Sequence, residues 1–264
     1  MSNEEIDKFC AKYGDDIKAV TESGATLLHR ACMCWNLEVI KFLVSKGADV
    51  NARCNNGSPR TPLHFAVGYV AAKSNENVEI VKFLVSQGAD INARGGVDYT
   101  PLHLAALQNK NIEVTKFLVS QGADVHAKSA IGSTSLHLAV GLPWCARPNL
   151  NNVETAEYLV SVGADVNAKN DDGMTPLHMA TSGVNNVEIA NFLISQGANV
   201  NAKDNNSRSP LHWAVTDNRN IEFAKVLVSV GADIDVKDND GKTPLDIAKK
   251  WQNRAMVEYL TSIK

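Results

Sequence analysis

The chain has 264 residues, a formal net charge of −3 at neutral pH and 21% charged residues, so no basic track for a nucleic-acid backbone is expected. It has no run of 18 apolar residues and no basic start followed by an apolar run, which argues against a membrane span and a secretory signal. Five cysteines, an odd number, fit a reducing compartment, so we expect a cytoplasmic protein, with export through a specialised secretion system left open. We also expect a monomer.

Two short phrases alternate along the chain. The first is Thr-Pro-Leu-His or a near copy, which begins at residues 26, 61, 100, 134, 175, 209 and 243. The second is Gly-Ala-Asp-Val-Asn-Ala or a variant, which begins at Gly47, Gly88, Gly122, Gly163, Gly197 and Gly231. The histidines of the first phrase recur 34 to 41 residues apart. A period of this size indicates a stack of small units, each too small to bury its own apolar face.

Each repeat predicts a short inner helix, an outer helix and a turn. Thr or Ser of the first phrase is a good helix N-cap, and the Pro after it fits the first helical position. The outer helix opens near an Asn, and in the first repeat Leu37, Ile40, Leu43 and Val44 follow helical spacing. The Gly that opens the second phrase ends this helix. The turn that leads to the next repeat, which we name the finger, is expected to resemble a β-hairpin.

Thr-Pro-Leu-His-x-Ala at a period near 33 is the signature of ankyrin repeats, and the chain resembles that family over essentially its whole length. The resemblance implies an all-α repeat solenoid of stacked helix-turn-helix units with β-hairpin-like fingers. We predict one domain over residues 1–264. Its parts are a half-unit cap (1–20), six repeats (21–53, 54–94, 95–128, 129–169, 170–203 and 204–237) and a capping repeat (238–264).

Six of the seven histidines belong to the first phrase: His29, His64, His103, His137, His178 and His212. A shared metal ion would need several of them to converge, but helix packing spaces neighbouring repeats by about 8–10 Å. The resemblance implies that each His bonds to its own repeat and to the neighbouring turn. His126 replaces a repeated Asn and is interpreted as a tolerated turn residue. His29, Cys32 and Cys34 hint at zinc, but no Cys-x-x-Cys pair supports it.

No nucleophile elbow, phosphate loop or dinucleotide motif occurs. We therefore predict no catalytic residues, no cofactor and no metal. The regularly spaced Asp49, Asp90, Asp124, Asp165 and Asp233 are interpreted as turn residues, since paired catalytic carboxylates must face one bond.

Functional individuality is expected where the repeats differ. The resemblance implies that partners dock on the concave face, which inner helices and finger tips form. Tyr, Trp and Arg are typical of binding hot spots. The candidate partner-binding residues are Arg60, Tyr69, Tyr99, Leu107, Trp144, Met174, Arg208, Trp213 and Asp217. Trp144 lies in one of two insertions, which lengthen repeats two and four between their helices.

These features favour a non-catalytic module that binds another protein through its concave face, with the long loops of repeats two and four as further contact sites. Two alternatives remain open at this point. One is a structural or regulatory spacer, and the other is a ligand-binding or enzymatic protein that uses the loop of residues 141–153.

Overall fold

A computed structural model describes residues 9, 16, 20–22, 24–34, 36–54, 59–68, 76–108, 111–141, 153–181, 187–216 and 221–264. Inner and outer helices alternate along these residues. The inner helices are α1 (Leu27–Met33), α3 (Pro62–Gly68), α5 (Pro101–Gln108), α7 (Ser135–Val140), α9 (Pro176–Ala180), α11 (Pro210–Ala214) and α13 (Pro244–Lys250). The outer helices are α2 (Leu37–Ser45), α4 (Glu76–Ser86), α6 (Ile112–Ser120), α8 (Val153–Ser161), α10 (Val187–Ser195), α12 (Ile221–Ser229) and α14 (Arg254–Ser262).

The chain divides into two compact halves, Met1–Ala130 and Ile131–Lys264. In the N-terminal half, α3 packs against α1 and α5, and α4 packs against α2 and α6. In the C-terminal half, α9 packs against α7 and α11, and α10 packs against α8 and α12. Like elements therefore stack on like, which confirms the all-α repeat solenoid. The expectation of one domain stays a prediction.

The core of each half consists of the repeated leucines and alanines. The first-phrase leucines are buried at every repeat: Leu28, Leu63, Leu102, Leu136, Leu177, Leu211 and Leu245. Burial of a leucine side chain contributes about 1.5–3 kcal/mol relative to exposure, and here the covering surface comes largely from the adjacent repeat. Stability is therefore shared between neighbours.

The inner helices start as the first phrase predicts, with one difference in the cap. Thr175 has an extended backbone (φ −93°, ψ 167°), and Pro176 occupies the first turn, where no N–H is needed. The histidine joins the expected hydroxyl in a reciprocal capping box, in which the Thr175 side chain faces the N–H of His178, as the Thr100 hydroxyl accepts the His103 N–H at 3.4 Å. The Thr175 N–H donates to Nδ1 of His178 at 3.1 Å, and the Thr175 hydroxyl lies 2.9 Å from the same nitrogen. The histidine is thus part of the cap.

Asn36, Asn111 and Asn253 cap the starts of three outer helices, and a Gly follows the end of six of them. The Asn36 side chain accepts a bond from the Val39 N–H at 3.0 Å, which satisfies one of the free N–H groups of the first turn. The glycine after the helix has φ between 86° and 99° in six repeats, a conformation that side chains with a Cβ avoid. At Gly122, for example, the following Ala123 N–H returns to the Leu118 carbonyl at 3.0 Å.

The fingers are tight turns, and within the residues that the structure describes no strand is assigned to them. Backbone bonds close these turns, for example from the Asp204 N–H to the Arg208 carbonyl and from the Ser207 N–H to the Asp204 carbonyl, both at 3.0 Å. The Asp204 carboxylate then accepts the N–H groups of Asn206 and Arg208, both at 2.8 Å. An Asp or Asn at the first finger position therefore folds the turn from within.

The finger of repeat three lacks this device. Gly95 stands at the first position, and Val97 (φ 52°) and Asp98 (φ 55°) both adopt left-handed backbone. A left-handed conformation is unfavourable for a β-branched residue, because Cβ approaches the following carbonyl. The Val97 carbonyl accepts the Ala130 N–H at 2.9 Å, while its side chain is 59% exposed. This tip is locally strained.

Leu102→Ala should lower the free energy of unfolding by about 2–5 kcal/mol, because Leu102 is fully buried. Since repeats depend on their neighbours, hydrogen exchange should accelerate most around repeat three. Met33→Ala, at a position that is 38% exposed in the same half, is the control and should have a small effect. Equal loss of protection in every repeat would contradict this local response.

Val97→Asn should raise the free energy of unfolding by about 1 kcal/mol, because Asn tolerates the left-handed backbone that Val resists. The change is measured as the midpoint of urea unfolding. Val230→Asn is the matched control: Val230 is 45% exposed and is not among the residues with positive φ. A similar shift in both variants would show that loss of exposed apolar surface, and not backbone strain, is responsible.

Candidate protein-binding surface

The first-phrase histidines bridge consecutive repeats. In each, Nδ1 accepts the backbone N–H of the Thr or Ser three residues earlier at 3.1–3.2 Å. In five of them Nε2 lies 2.9–3.1 Å from a carbonyl in the next finger: that of Arg60, Tyr99, Met174, Arg208 or Lys242. The bonding implied by the family resemblance is therefore present.

This bonding determines the ring's protonation. A backbone N–H can only donate, so Nδ1 must be unprotonated and Nε2 must carry the hydrogen that it donates to the carbonyl. Burial lowers the pKa of His64 to about 4, although the bond to the Tyr99 carbonyl raises it, and the charges of Arg60 and Arg53 lower it further. Burial likewise lowers the pKa of His29, His178 and His212. These rings are neutral structural parts.

The described residues contain no group of three His, Cys, Asp or Glu side chains placed to share a metal ion. Cys32 is buried, and burial raises the pKa of its thiol, while Cys34 is exposed. The zinc hint of the sequence around these cysteines therefore gains no support from their positions.

The second-phrase asparagines form another set of links between repeats, the asparagine ladder. The Asn92 side chain donates to the Gly122 carbonyl at 3.1 Å and accepts the Asp124 N–H at 2.9 Å. Asn51, Asn167 and Asn201 make the same pair of bonds to the next repeat. At His126, which replaces Asn, the backbone N–H donates to Asp124 as in the other turns.

Backbone bonds also connect the fingers of the C-terminal half in a constant register. Asn205 N–H donates to the Asp172 carbonyl at 2.9 Å, and Asn239 N–H donates to the Asn206 carbonyl at 3.0 Å. Because the histidines fix the last residue of each finger, that residue occupies the same place in every repeat. Its backbone is committed to the scaffold, while its side chain is free to vary.

Three candidate residues lie at half-buried positions of the N-terminal half: Arg60, Tyr99 and Leu107. Arg60 and Tyr99 end successive fingers, with their carbonyls bonded to His29 and His64. The Tyr99 ring stacks on His103 with centroids 5.5 Å apart and planes 5° apart. The ring is thus oriented by this contact and remains partly exposed, which suits a contact residue.

Arg208 and Trp213 come together in the C-terminal half. The Trp213 indole N–H donates to the buried Asp204 carboxylate at 3.0 Å. Arg208 lies over the Trp213 ring, 6.0 Å from its centroid, and its Nε donates to Asp238 at 3.4 Å. Both side chains are half-buried and held in place. Contacts of this kind reduce the entropy lost when a partner binds.

Burial raises the pKa of Asp238, but the N–H groups of Lys242 and Asp240 and the Arg208 guanidinium lower it, and the overall pKa lies below its usual value. Asp238 is therefore a charged partner for Arg208 at neutral pH. This ion pair keeps the guanidinium against the indole.

Met174 needs a correction. It ends a finger like Arg60 and Tyr99, but its side chain is only 1% exposed, so it belongs to the core and offers no surface to a partner. The repeat register predicts where a residue's backbone lies, whereas its side-chain direction depends on local packing. Three other candidates, Tyr69, Trp144 and Asp217, lie outside the described residues, as does most of the loop 141–153.

The structure adds residues that the candidate set omits. Trp251, at the C-terminal end of α13, is 60% exposed. Asp204 and Asp238 hold the Arg208–Trp213 pair. Their recurrence at the first finger position of repeats six and seven was a usable signal, since Asp there leaves one carboxylate oxygen free for another donor.

A family model described as ankyrin repeats (3 copies) matches residues 2–95, 69–169, 102–204, 142–238 and 185–264. The chain belongs to the ankyrin-repeat family. Within the described part of this ankyrin-repeat protein, no helix has the length and apolar character that a bilayer crossing requires.

Curated relatives match over shorter segments. The chain is 52% identical over 42 residues to ankyrin repeat protein FPV219 of fowlpox virus (strain NVSL), 16% of this chain and 9% of that protein. It is 35% identical over 69 residues to ankyrin repeat domain-containing protein OPG015 of monkeypox virus (26% and 16%). It is 43% identical over 63 residues to mouse protein phosphatase 1 regulatory subunit 27 (24% and 40%). The matches span less than half of each relative.

Acid should destabilise the protein through its histidines. Because the pKa of His64 is about 4 in the folded protein and its ordinary value in an unfolded chain is 6.5, protons favour the unfolded chain below pH 6.5. The stabilisation is complete above pH 6.5 and is lost as the pH falls towards 4, by about 3 kcal/mol for this residue alone. Urea unfolding at several pH values measures this loss.

The control is His64→Gln, which should unfold more easily at pH 7 but lose less further stability between pH 6.5 and 4. An identical pH slope in both proteins would assign the acid sensitivity to other groups. The chemical shifts of the His64 ring, followed by NMR, should show that the ring stays neutral down to about pH 5.

Asn92→Asp should destabilise the protein by about 0.5–1.5 kcal/mol, since a carboxylate cannot donate to the Gly122 carbonyl and would face it at hydrogen-bond distance. The free energy of unfolding in urea gives the value. Asp235→Asn is the control: Asp235 holds the equivalent place in repeat six, where its carboxylate pairs with exposed Lys264. Its change should stay below about 0.5 kcal/mol, as for other exposed ion pairs.

Proposed function

We propose that this protein is a non-catalytic module that binds a protein partner through its concave face. The observation that carries the proposal is that backbone and side chain have different roles at the last residue of the finger. The last finger residue commits its backbone to a histidine bridge, and its side chain, as in Arg60, Tyr99 and Arg208, stays at least partly exposed. Variable side chains on a fixed framework are what a binding surface requires.

The composition of this surface supports recognition. Arg60, Tyr99, Leu107, Arg208 and Trp213 are half-buried residues, and Tyr, Trp and Arg are enriched at binding hot spots. Tyr69, Trp144 and Asp217 belong to the proposal by their place in the repeat or insertion alone, and Met174 no longer belongs to it. The long loops of repeats two and four remain proposed as additional contacts.

The relatives are consistent with this role. Ankyrin repeats generally mediate protein–protein interaction, and the mouse relative is named as a regulatory subunit of a phosphatase. Such a name describes a protein that acts on another one. The histidines support the non-catalytic part of the proposal, because the bonds to the cap and the next finger occupy both ring nitrogens in five of them.

The test uses affinity purification of the full chain from its native cell, with partners identified by mass spectrometry. A Tyr99→Ala/Leu107→Ala protein should lose the partner, or bind it at least about tenfold more weakly, because truncation of a hot-spot residue commonly costs over about 1 kcal/mol. Thermal melting verifies that the variant folds.

The matched control is Lys82→Ala on outer helix α4, where Lys82 is exposed and pairs only with Glu79 among the described residues. This variant should keep the partner. A partner that is retained by the Tyr99→Ala/Leu107→Ala protein and lost by Lys82→Ala would place binding on the outer helices and refute the proposed face.

A further inference from the structure

We propose that repeats six and seven form a basic, aromatic surface that recognises a short acidic segment of the partner. This inference rests on the proposed function and names the chemistry that the C-terminal half would select. The surface, which we call the basic aromatic patch, consists of Arg208, Trp213, Lys242, Lys250 and Trp251.

The repeat register brings these five residues to one face. Arg208 and Lys242 end consecutive fingers, since their carbonyls lie 3.0 and 3.1 Å from Nε2 of His178 and His212. Trp213 follows His212 directly, and Lys250 occupies in α13 the place that Leu107 occupies in α5. The Asn253 side chain donates to the Val215 carbonyl at 3.1 Å, which holds the turn that contains Trp251 beside the end of α11.

The positive charges of the patch are available. Lys242 and Lys250 are exposed, and neither has an ion-pair partner within 4.0 Å in the described part of the chain. Arg208 uses Nε for Asp238, and its side chain is 36% exposed. A guanidinium held by its Nε and by an aromatic face presents a planar fork suited to a carboxylate.

The neighbouring carboxylates are already engaged. Asp204 accepts two backbone N–H groups and the Trp213 indole, and Asp238 accepts two backbone N–H groups and Arg208. Asp246 accepts the N–H and the hydroxyl of Thr243 at 3.0 and 2.9 Å. These carboxylates fold the fingers and cap α13, and in the described part of the chain none of them lies within 4.0 Å of either lysine, although the charge of Lys242 helps to lower the pKa of Asp246.

The aromatic residues add an apolar part to the site. Trp251 is 60% exposed, and Trp is among the residue types enriched at binding hot spots. Trp213 forms a flat floor under Arg208. We therefore expect a ligand with carboxylates next to at least one apolar side chain.

A polyanion fits less well than a short acidic peptide. The finger tips of repeats five and seven carry Asp171, Asp172 and Asp240, all exposed, which would repel a continuous phosphate backbone that passed along successive fingers. A short segment can place its carboxylates at the finger bases and avoid the tips. The observations thus favour protein over nucleic acid.

The experiment selects random dodecapeptides displayed on phage against the full-length protein. Enriched peptides should contain more Asp and Glu than the unselected library. Synthetic copies should bind Lys242→Gln/Lys250→Gln at least about tenfold more weakly, and added salt should weaken binding to the wild type. Both lysines are exposed, so this variant should keep its melting temperature.

Lys225→Gln is the matched control, because Lys225 lies on outer helix α12 of repeat six and has a 44% exposed side chain. It should bind the peptides like the wild type. Arg208→Gln should also weaken binding, and its melting curve separates lost recognition from lost packing against Trp213.

Several results would overturn the inference: no enriched peptide, enriched peptides without an acidic excess, or acidic peptides that ignore the lysine substitutions. Binding of a single-stranded RNA probe that depends on Lys242 and Lys250 would also overturn it. Peptides without acidic residues that are sensitive only to Tyr99→Ala/Leu107→Ala would remove the acidic preference and leave the concave face intact. Loss of the cellular partner from neither set of concave variants would refute both proposals.

Discussion

The hydrogen bond from a buried histidine to the carbonyl of the next finger is the interaction on which the rest of this structure depends. It joins three elements: the cap of one inner helix, the ring itself and the turn that precedes the next inner helix. The ring can make both bonds only when it is neutral and carries its hydrogen on Nε2. Burial supplies that condition, because it disfavours the charged form.

This constraint separates the scaffold from the surface at the level of single residues. The last finger residue contributes its backbone carbonyl to the bridge, and this bond is compatible with almost any side chain at that position. The chain uses this freedom to place Ala25, Arg60, Tyr99, Ser133, Met174, Arg208 and Lys242 at equivalent points. The asparagine ladder also connects consecutive repeats: one side-chain amide bonds to two backbone groups in the turn of the next repeat.

The repeated positions could be predicted from the sequence because their chemistry is local. Thr-Pro starts a helix, an Asn caps one and a Gly ends one for reasons that lie within a few residues of each. The hydroxyl cap was predicted in the same way, but not the participation of the histidine ring, which also bonds to the next repeat. In repeats five to seven the tight finger has a local origin too, since an Asp or Asn side chain at its first position accepts the backbone N–H groups of the turn.

The exposure of the candidate side chains could not be predicted from their position in the repeat. Met174 and Arg208 hold the same place in the repeat, yet one is in the core and the other is half-exposed. An apolar side chain gains free energy by turning inwards, whereas a guanidinium must keep part of itself in water or find an anion. Asp238 supplies that anion one repeat later, and no spacing rule within repeat six could have shown it.

The sequence by itself determined the family, the alternation of helices and the structural role of the histidines, because each follows from a short motif that recurs with its neighbours. Only the tertiary structure decided which variable side chains remain accessible and which charges are already paired. Those outcomes depend on atoms that lie about thirty residues apart in the chain and meet only when repeats stack.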